Sequence, residues 1–158
     1  MTNSDRQGRG RTDGTDRLNT REYELRSVSD PIPTGCDPVD DLLGGGFERG
    51  VVTQVYGPPA AGKTSLALAA AVEVAAAGER SLFIDTEGLS IDRFEQIATA
   101  RVDRPETDDT LETLASRLVI TDAYDFDDQR EAVRDAEELA DEMELIVLDS
   151  ATGFYRLE

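Results

Sequence analysis

The chain has 158 residues, the size of one domain. Its 34 acidic residues outnumber 16 basic ones, and with no histidine the formal charge is −18. No stretch approaches the roughly 18 apolar residues of a spanning helix, the single Cys36 cannot close an internal disulfide, and no Cys/His cluster offers a zinc site.

Residues 1–30 hold six acids and six arginines (Arg6, Arg9, Arg11, Arg17, Arg21 and Arg26) among small polar residues. So few apolar side chains predict a flexible arm, with a short strand at 23–28. The segment has no apolar run of the secretory kind, so the expected address is the cytoplasm. Pro31, Pro33, Gly35 and Pro38 punctuate the turn-rich stretch that follows. DPVDDLL at 37–43 predicts a short helix with Asp37 as N-cap and Pro38 at its first position, ended by Gly44, Gly45 and Gly46. The β-branched run at 51–56 predicts a strand.

KTSLALAAAVEVAAA at 63–77 carries one acid, Glu73, and predicts a helix buried on most sides and stopped by Gly78. SLFID at 81–85 is a second strand, after which Ser90 caps a helix over 90–100. A polar loop with Pro105 leads to a short helix at 111–116 and a strand at 118–121. Ala132, Val133, Ala136, Leu139, Ala140 and Met143 fall at helical spacing within 127–143, with acids between them on a solvated face. ELIVLD at 144–149 is a strand with an apolar centre, the mark of a parallel sheet covered on both faces. Strands alternating with helices give an α/β domain.

The acidity is spread over the chain. At ordinary salt such a surface repels nucleic acid, because DNA binding rests on cations at phosphates. It fits either a protein with no nucleic-acid partner or a surface adapted to very high salt, where repulsion is screened. Basic composition favours the second: 15 of the 16 basic residues are arginine, and the one lysine is Lys63.

That lysine sits in Gly57-Pro58-Pro59-Ala60-Ala61-Gly62-Lys63-Thr64, which matches the phosphate-binding loop G-x-x-x-x-G-K-[ST]. Gly57 and Gly62 let the backbone curl so that N–H groups face phosphate oxygens. The next helix, with Ser65 in its first turn, adds its positive end. Lys63 is assigned to the β- and γ-phosphates as a compact charge that a planar guanidinium cannot copy, and the Thr64 hydroxyl to Mg²⁺. The predicted strand before the loop and helix after it supply the context the motif requires.

In LIVLDS at 145–150 an apolar strand ends in Asp149, the Walker-B arrangement, with Asp149 directed to Mg²⁺ through water. FIDTEG at 83–88 sets Glu87 just past a strand's C-terminal end, where parallel sheets bind ligands. From the residues alone Glu87 is either a base that activates water or an acid that caps a loop or helix.

In this order the three motifs resemble the RecA/RadA family of recombination ATPases, most of all its archaeal RadA paralogues. The likeness runs over IPTGCDPVDDLLGGGFERGVVTQVYGPPAAGKTSLAL, LFIDTEGLSIDRFEQIA and LIVLDSATGFYRLE, so it covers residues 30–158. It implies an α/β fold: a RecA-like P-loop NTPase core of three α/β/α layers with a mainly parallel sheet. It implies ATP and Mg²⁺ as cofactors and Glu87 as the catalytic glutamate. It further implies a mediator in DNA repair and homologous recombination that binds DNA, single-stranded above all, and the recombinase RadA. Feeble ATP hydrolysis and homo-oligomers belong to the same picture.

Ala60 departs from the glycine common in those paralogues. No Phe is followed by Ala three residues on, the polymerisation motif of RadA. Gly57-Pro58-Pro59 is shared with KaiC-like signalling ATPases, which need no DNA, and they stand as the alternative reading. A module that binds nucleotide only for structure is a third.

Members of the resembled family continue past the Walker-B strand with DNA loops and further strands. One of those strands lies between the Walker-A and Walker-B strands. On that topology the core at 31–158 is incomplete at its C-terminus, and 51–56 and 145–149 flank a gap with unpaired ladder groups. Poor folding or self-assembly is therefore expected. A cooperative thermal transition of a monomer of these 158 residues at molar salt overturns that expectation.

Overall fold

The computed structural model describes residues 30–104 and 109–154. The N-terminal arm up to residue 29, its strand at 23–28, its six arginines and the middle of the Pro105 loop lie outside the described residues.

Strand β1, Ser81–Asp85, is buried along its whole length. It pairs in parallel with β2, Leu118–Asp122, on one side and β3, Leu145–Asp149, on the other, giving the order β2-β1-β3. The register sets Asp85 opposite both Asp122 and Asp149, so all three strands end in a carboxylate at one level.

Parallel neighbours need crossovers, and helices supply them. Helix α1 is Asp37–Leu43, and α2, Lys63–Ala76, precedes β1. Helices α3, Ile91–Val102, and α4, Leu111–Ser116, lie between β1 and β2. Helix α5, Phe126–Leu139, and a 3-10 turn, Ala140–Glu142, lie between β2 and β3, so the helix expected over 127–143 divides at its end.

Side chains alternate across β1. Leu82 and Ile84 pack on Ala132 and Ala136 of α5, with Val119, Leu148 and Met143 alongside. Phe83 therefore turns to the opposite layer, where α2 packs on the sheet. There Val72 and Ala75 of α2 meet Ala98 of α3 and Leu114 of α4. The result is the expected three layers.

The alanines of α2 follow from its position. Leu68, Ala70, Ala71, Val72, Val74 and Ala75 are all buried, too wide an arc for a single apolar stripe. Its one acid, Glu73, takes Arg101 at 2.9 Å and Arg104 at 3.1 Å, tying α2 to α3. Ser90 caps α3 as expected, accepting the Arg93 N–H. Among the described residues no helix is long and apolar enough to cross a membrane.

Two local expectations are corrected. The N-cap of α1 is Cys36, whose φ of −129° and ψ of 99° are extended as a cap requires, while Asp37 is already helical. In place of a side-chain cap, the Asp40 carboxylate accepts the Thr34 N–H at 2.8 Å. The glycine run behind this helix is obligatory at one point. Gly46, with φ of +134°, lies so close to the Ile32–Phe47 bridge that a Cβ would stand 2.0 Å from the Ile32 carbonyl oxygen.

The second correction is larger. Residues 51–56 form no strand, and Val52 and Tyr56 are 99 % and 87 % exposed. A β-branched run becomes a strand only with a ladder partner. The ladders described here join β1 to β2 and β1 to β3, leaving 51–56 without a ladder partner.

Phe83, fully buried between β1 and the α2 layer, is the test of this core. Phe83→Ala is expected to cost about 3–5 kcal/mol, read from denaturant unfolding at molar salt.

Candidate nucleotide-binding site

The direction of α2 decides where the phosphate loop lies. Four residues after its last turn the chain enters β1, and Arg117, just before β2, donates to the Ala75 carbonyl at 2.6 Å. The C-terminus of α2 is therefore at the N-terminal ends of the strands. Its 14 residues and the five of β1 have comparable lengths, so its N-terminus lies at the strands' carboxyl ends.

The loop ahead of it, residues 57–62, is exposed throughout, and Thr64 and Ser65 are half-buried in the first helical turn. Gly62, the N-cap, has φ of +87°. Ala60 has φ of +60°, the left-handed region that disfavours a Cβ. The Lys63 ammonium folds back and donates to the carbonyls of Gly57 at 3.2 Å and Pro58 at 3.0 Å. Lys63 thus closes the loop on itself.

At the strand ends the buried Asp85 organises the turn after β1. Its carboxylate accepts the N–H groups of Glu87 and Gly88, each at 3.0 Å, and that of Leu89. A buried carboxylate requires such partners, and they fix the course of 86–89.

Thr86 then joins β1 to the end of β3. Its N–H donates to the Asp149 carbonyl at 2.8 Å. Its hydroxyl accepts the Ser150 N–H at 2.8 Å and faces the Ser150 carbonyl at 3.2 Å. The Asp149–Ser150 peptide is cis. The Ser150 hydroxyl donates to Glu87 Oε1 at 2.9 Å. Glu87 and Asp149 are thereby brought to the ends of neighbouring strands, in the sheet over which α2 packs.

The Asp85 turn and the Thr86–Ser150 contact escaped the sequence reading. For Asp85 a signal existed, an Asp at a strand end followed by a Gly three residues on. For Thr86 and Ser150, 64 residues apart, there was none.

The donors present suit a Mg²⁺–triphosphate. The loop and first turn offer backbone N–H groups, Lys63 an ammonium, Thr64 a hydroxyl and Asp149 a carboxylate. Among the described residues no cluster of three or more His, Cys, Asp or Glu forms a self-sufficient metal centre. A Mg²⁺ held partly by phosphates needs only one or two protein oxygens.

A helix-heading phosphate loop at the carboxyl edge of a parallel sheet, with an apolar strand ending in Asp, marks the P-loop class of α/β domains. The Rad51 family model matches residues 26–158, and the chain belongs to that family. Among curated proteins it is similar to the DNA repair and recombination protein RadB of Halobacterium salinarum, 53% identical over 133 residues, covering 84% of this chain and 54% of that protein. RadB of Methanococcoides burtonii is 40% identical over 135 residues, covering 85% of this chain and 56% of that one. The crystal structure of the RadB recombinase superposes with a TM-score of 0.66 at 38% identity, over 79% of this chain and 54% of that one. The chain spans about half the length of the curated relatives it matches.

Two tests follow from the geometry. Ala60→Gly removes the Cβ from a left-handed position worth about 1 kcal/mol, so the melting temperature is expected to hold or rise slightly. Near the end of β2 the Tyr124 hydroxyl lies 3.3 Å from Asp122, whose charge, with lesser contributions including Asp128 and Asp85, pushes the phenol above its usual 10.0. Ultraviolet titration of Tyr124 should show this, and Asp122→Asn should bring it down.

Proposed function

We propose that this chain is the nucleotide-binding portion of a RadB-like RadA paralogue serving DNA repair and homologous recombination. The carrying observation is the phosphate loop at the head of α2, on the side of the sheet where Asp149 ends β3 and Glu87 follows β1 by two residues. Residues 31–158 are read as the ATPase core, partial with respect to the relatives, and residues 1–30 as an arm.

In this reading ATP lies along Gly57, Pro58, Pro59, Ala60, Ala61 and Gly62. Lys63 gives up its two loop carbonyls for the β- and γ-phosphates, and Thr64 and Ser65 hold the helix end against them. Thr64 and Asp149 would hold Mg²⁺, which supplies charge neutralisation at the phosphates when bound. Glu87 orients a water and accepts its proton as the γ-phosphoryl bond is cleaved, the product proton passing to solvent. Hydrolysis is slow, and the protein acts as a cytoplasmic mediator that binds single-stranded DNA and RadA.

The Rad51 match and the RadB relatives support this reading over a KaiC-like signalling ATPase. Lys63→Ala is expected to weaken binding of a fluorescent ATP analogue by tenfold or more. Glu87→Gln should leave that binding intact and slow phosphate release by about 10²-fold; an unchanged rate removes Glu87 from catalysis. The mediator role is tested with the full gene product at molar salt, with and without ATP. Failure to bind single-stranded DNA in either state, together with failure to capture RadA, sinks it.

A further inference from the structure

Glu87 is held at both its backbone and its carboxylate. Its backbone N–H is held by Asp85 at 3.0 Å, which fixes where the side chain starts. Its Oε1 accepts the Ser150 hydroxyl at 2.9 Å, which fixes where it points. Ser150 is itself immobilised. Its N–H is held by the Thr86 hydroxyl, its carbonyl faces the same hydroxyl, and the Gly153 N–H donates to that carbonyl at 3.4 Å.

The space is reserved. A Cβ on Gly153 would stand 2.8 Å from the Thr86 hydroxyl oxygen and 3.2 Å from that of Ser150. The Ser150 hydroxyl is thus delivered to Glu87 by a backbone that has little freedom to move.

We infer that Ser150 is the positioning residue of Glu87, orienting the carboxylate so that Oε1 is occupied by the serine and Oε2 is the oxygen presented to water. The inference rests on the catalytic reading of Glu87. Ser150 adjoins Asp149, so the residue that aims the base is bonded to the residue assigned to the metal. A shift at one strand end reaches both. A hydroxyl acting through another side chain changes the chemical step and leaves nucleotide affinity alone.

The test compares wild type, Ser150→Ala, Ser150→Thr, Glu87→Gln and the Glu87→Gln/Ser150→Ala double variant at molar salt. Three readouts are taken: binding of a non-hydrolysable ATP analogue, turnover of Mg²⁺–ATP, and the ¹³C resonance of the Glu87 carboxyl carbon, assigned by its loss in Glu87→Gln. Ser150→Ala is expected to bind the analogue within twofold of wild type and to lower kcat about tenfold, the effect of one hydrogen bond to a charged group. Ser150→Thr should restore most of the rate. Removing Ser150 should cost nothing further once Glu87 is gone.

The carboxyl resonance should move in Ser150→Ala and return in Ser150→Thr, whatever the absolute turnover. An unmoved resonance, or a Ser150→Ala loss of equal size in the Glu87→Gln background, overturns the assignment. The catalytic reading of Glu87 fails by a different sign, wild-type turnover in the Glu87→Gln single variant.

Discussion

The structure depends on the five residues of β1. A strand buried on both faces and paired on both edges leaves no peptide group and no apolar side chain to water, so these must be met by protein. Leu82 and Ile84 call for α5 on one face, Phe83 for a helical layer on the other, and the two edges for β2 and β3. The same demand continues past the last residue. Asp85 is buried, its charge has to be met, and three successive N–H groups meet it. The turn that carries Glu87 is thus shaped by the burial of the strand before it.

Charge is distributed with a matching division of labour. Arg101 and Arg104 converge on Glu73, Arg117 joins Asp109 and the end of α2, Arg80 meets Glu142, and Arg49 meets Glu144. Arginine, with its planar fork, clamps elements together, which suits a net charge of −18 whose repulsion must be bridged or screened. Exposed pairs of this kind contribute little singly, and the half-buried Glu73 contacts carry more. The single lysine clamps no helix and lies in the phosphate loop instead.

What could be read from the sequence follows the range of the forces involved. The burial of α2, the Ser90 cap, the strand at 81–85 and the apolar strand at 145–149 are written locally, in spacing and capping residues. The phosphate loop is local as well, eight consecutive residues. The strand expected at 51–56 failed for the opposite reason: its residues have the propensity, and the missing ladder partner is not a property of the segment. Asp37 looked like a cap because it precedes Pro38, but the extended residue is Cys36. The lock between Thr86 and Ser150 required two strand ends to meet, and nothing within either segment announces the other. Glu87 lies between these cases, since its place was legible and the serine that holds it was not.

The contacts of Lys63 have a consequence for how a nucleotide arrives. The ammonium is already solvated by the carbonyls of Gly57 and Pro58, so the loop keeps its curvature around an internal cation. On the proposed function, binding is then an exchange of oxygen ligands around that charge, neutral carbonyls leaving and anionic phosphates entering. In that reading the loop enters the exchange with its cation already held by protein oxygens, so the cation need not be recruited from solvent.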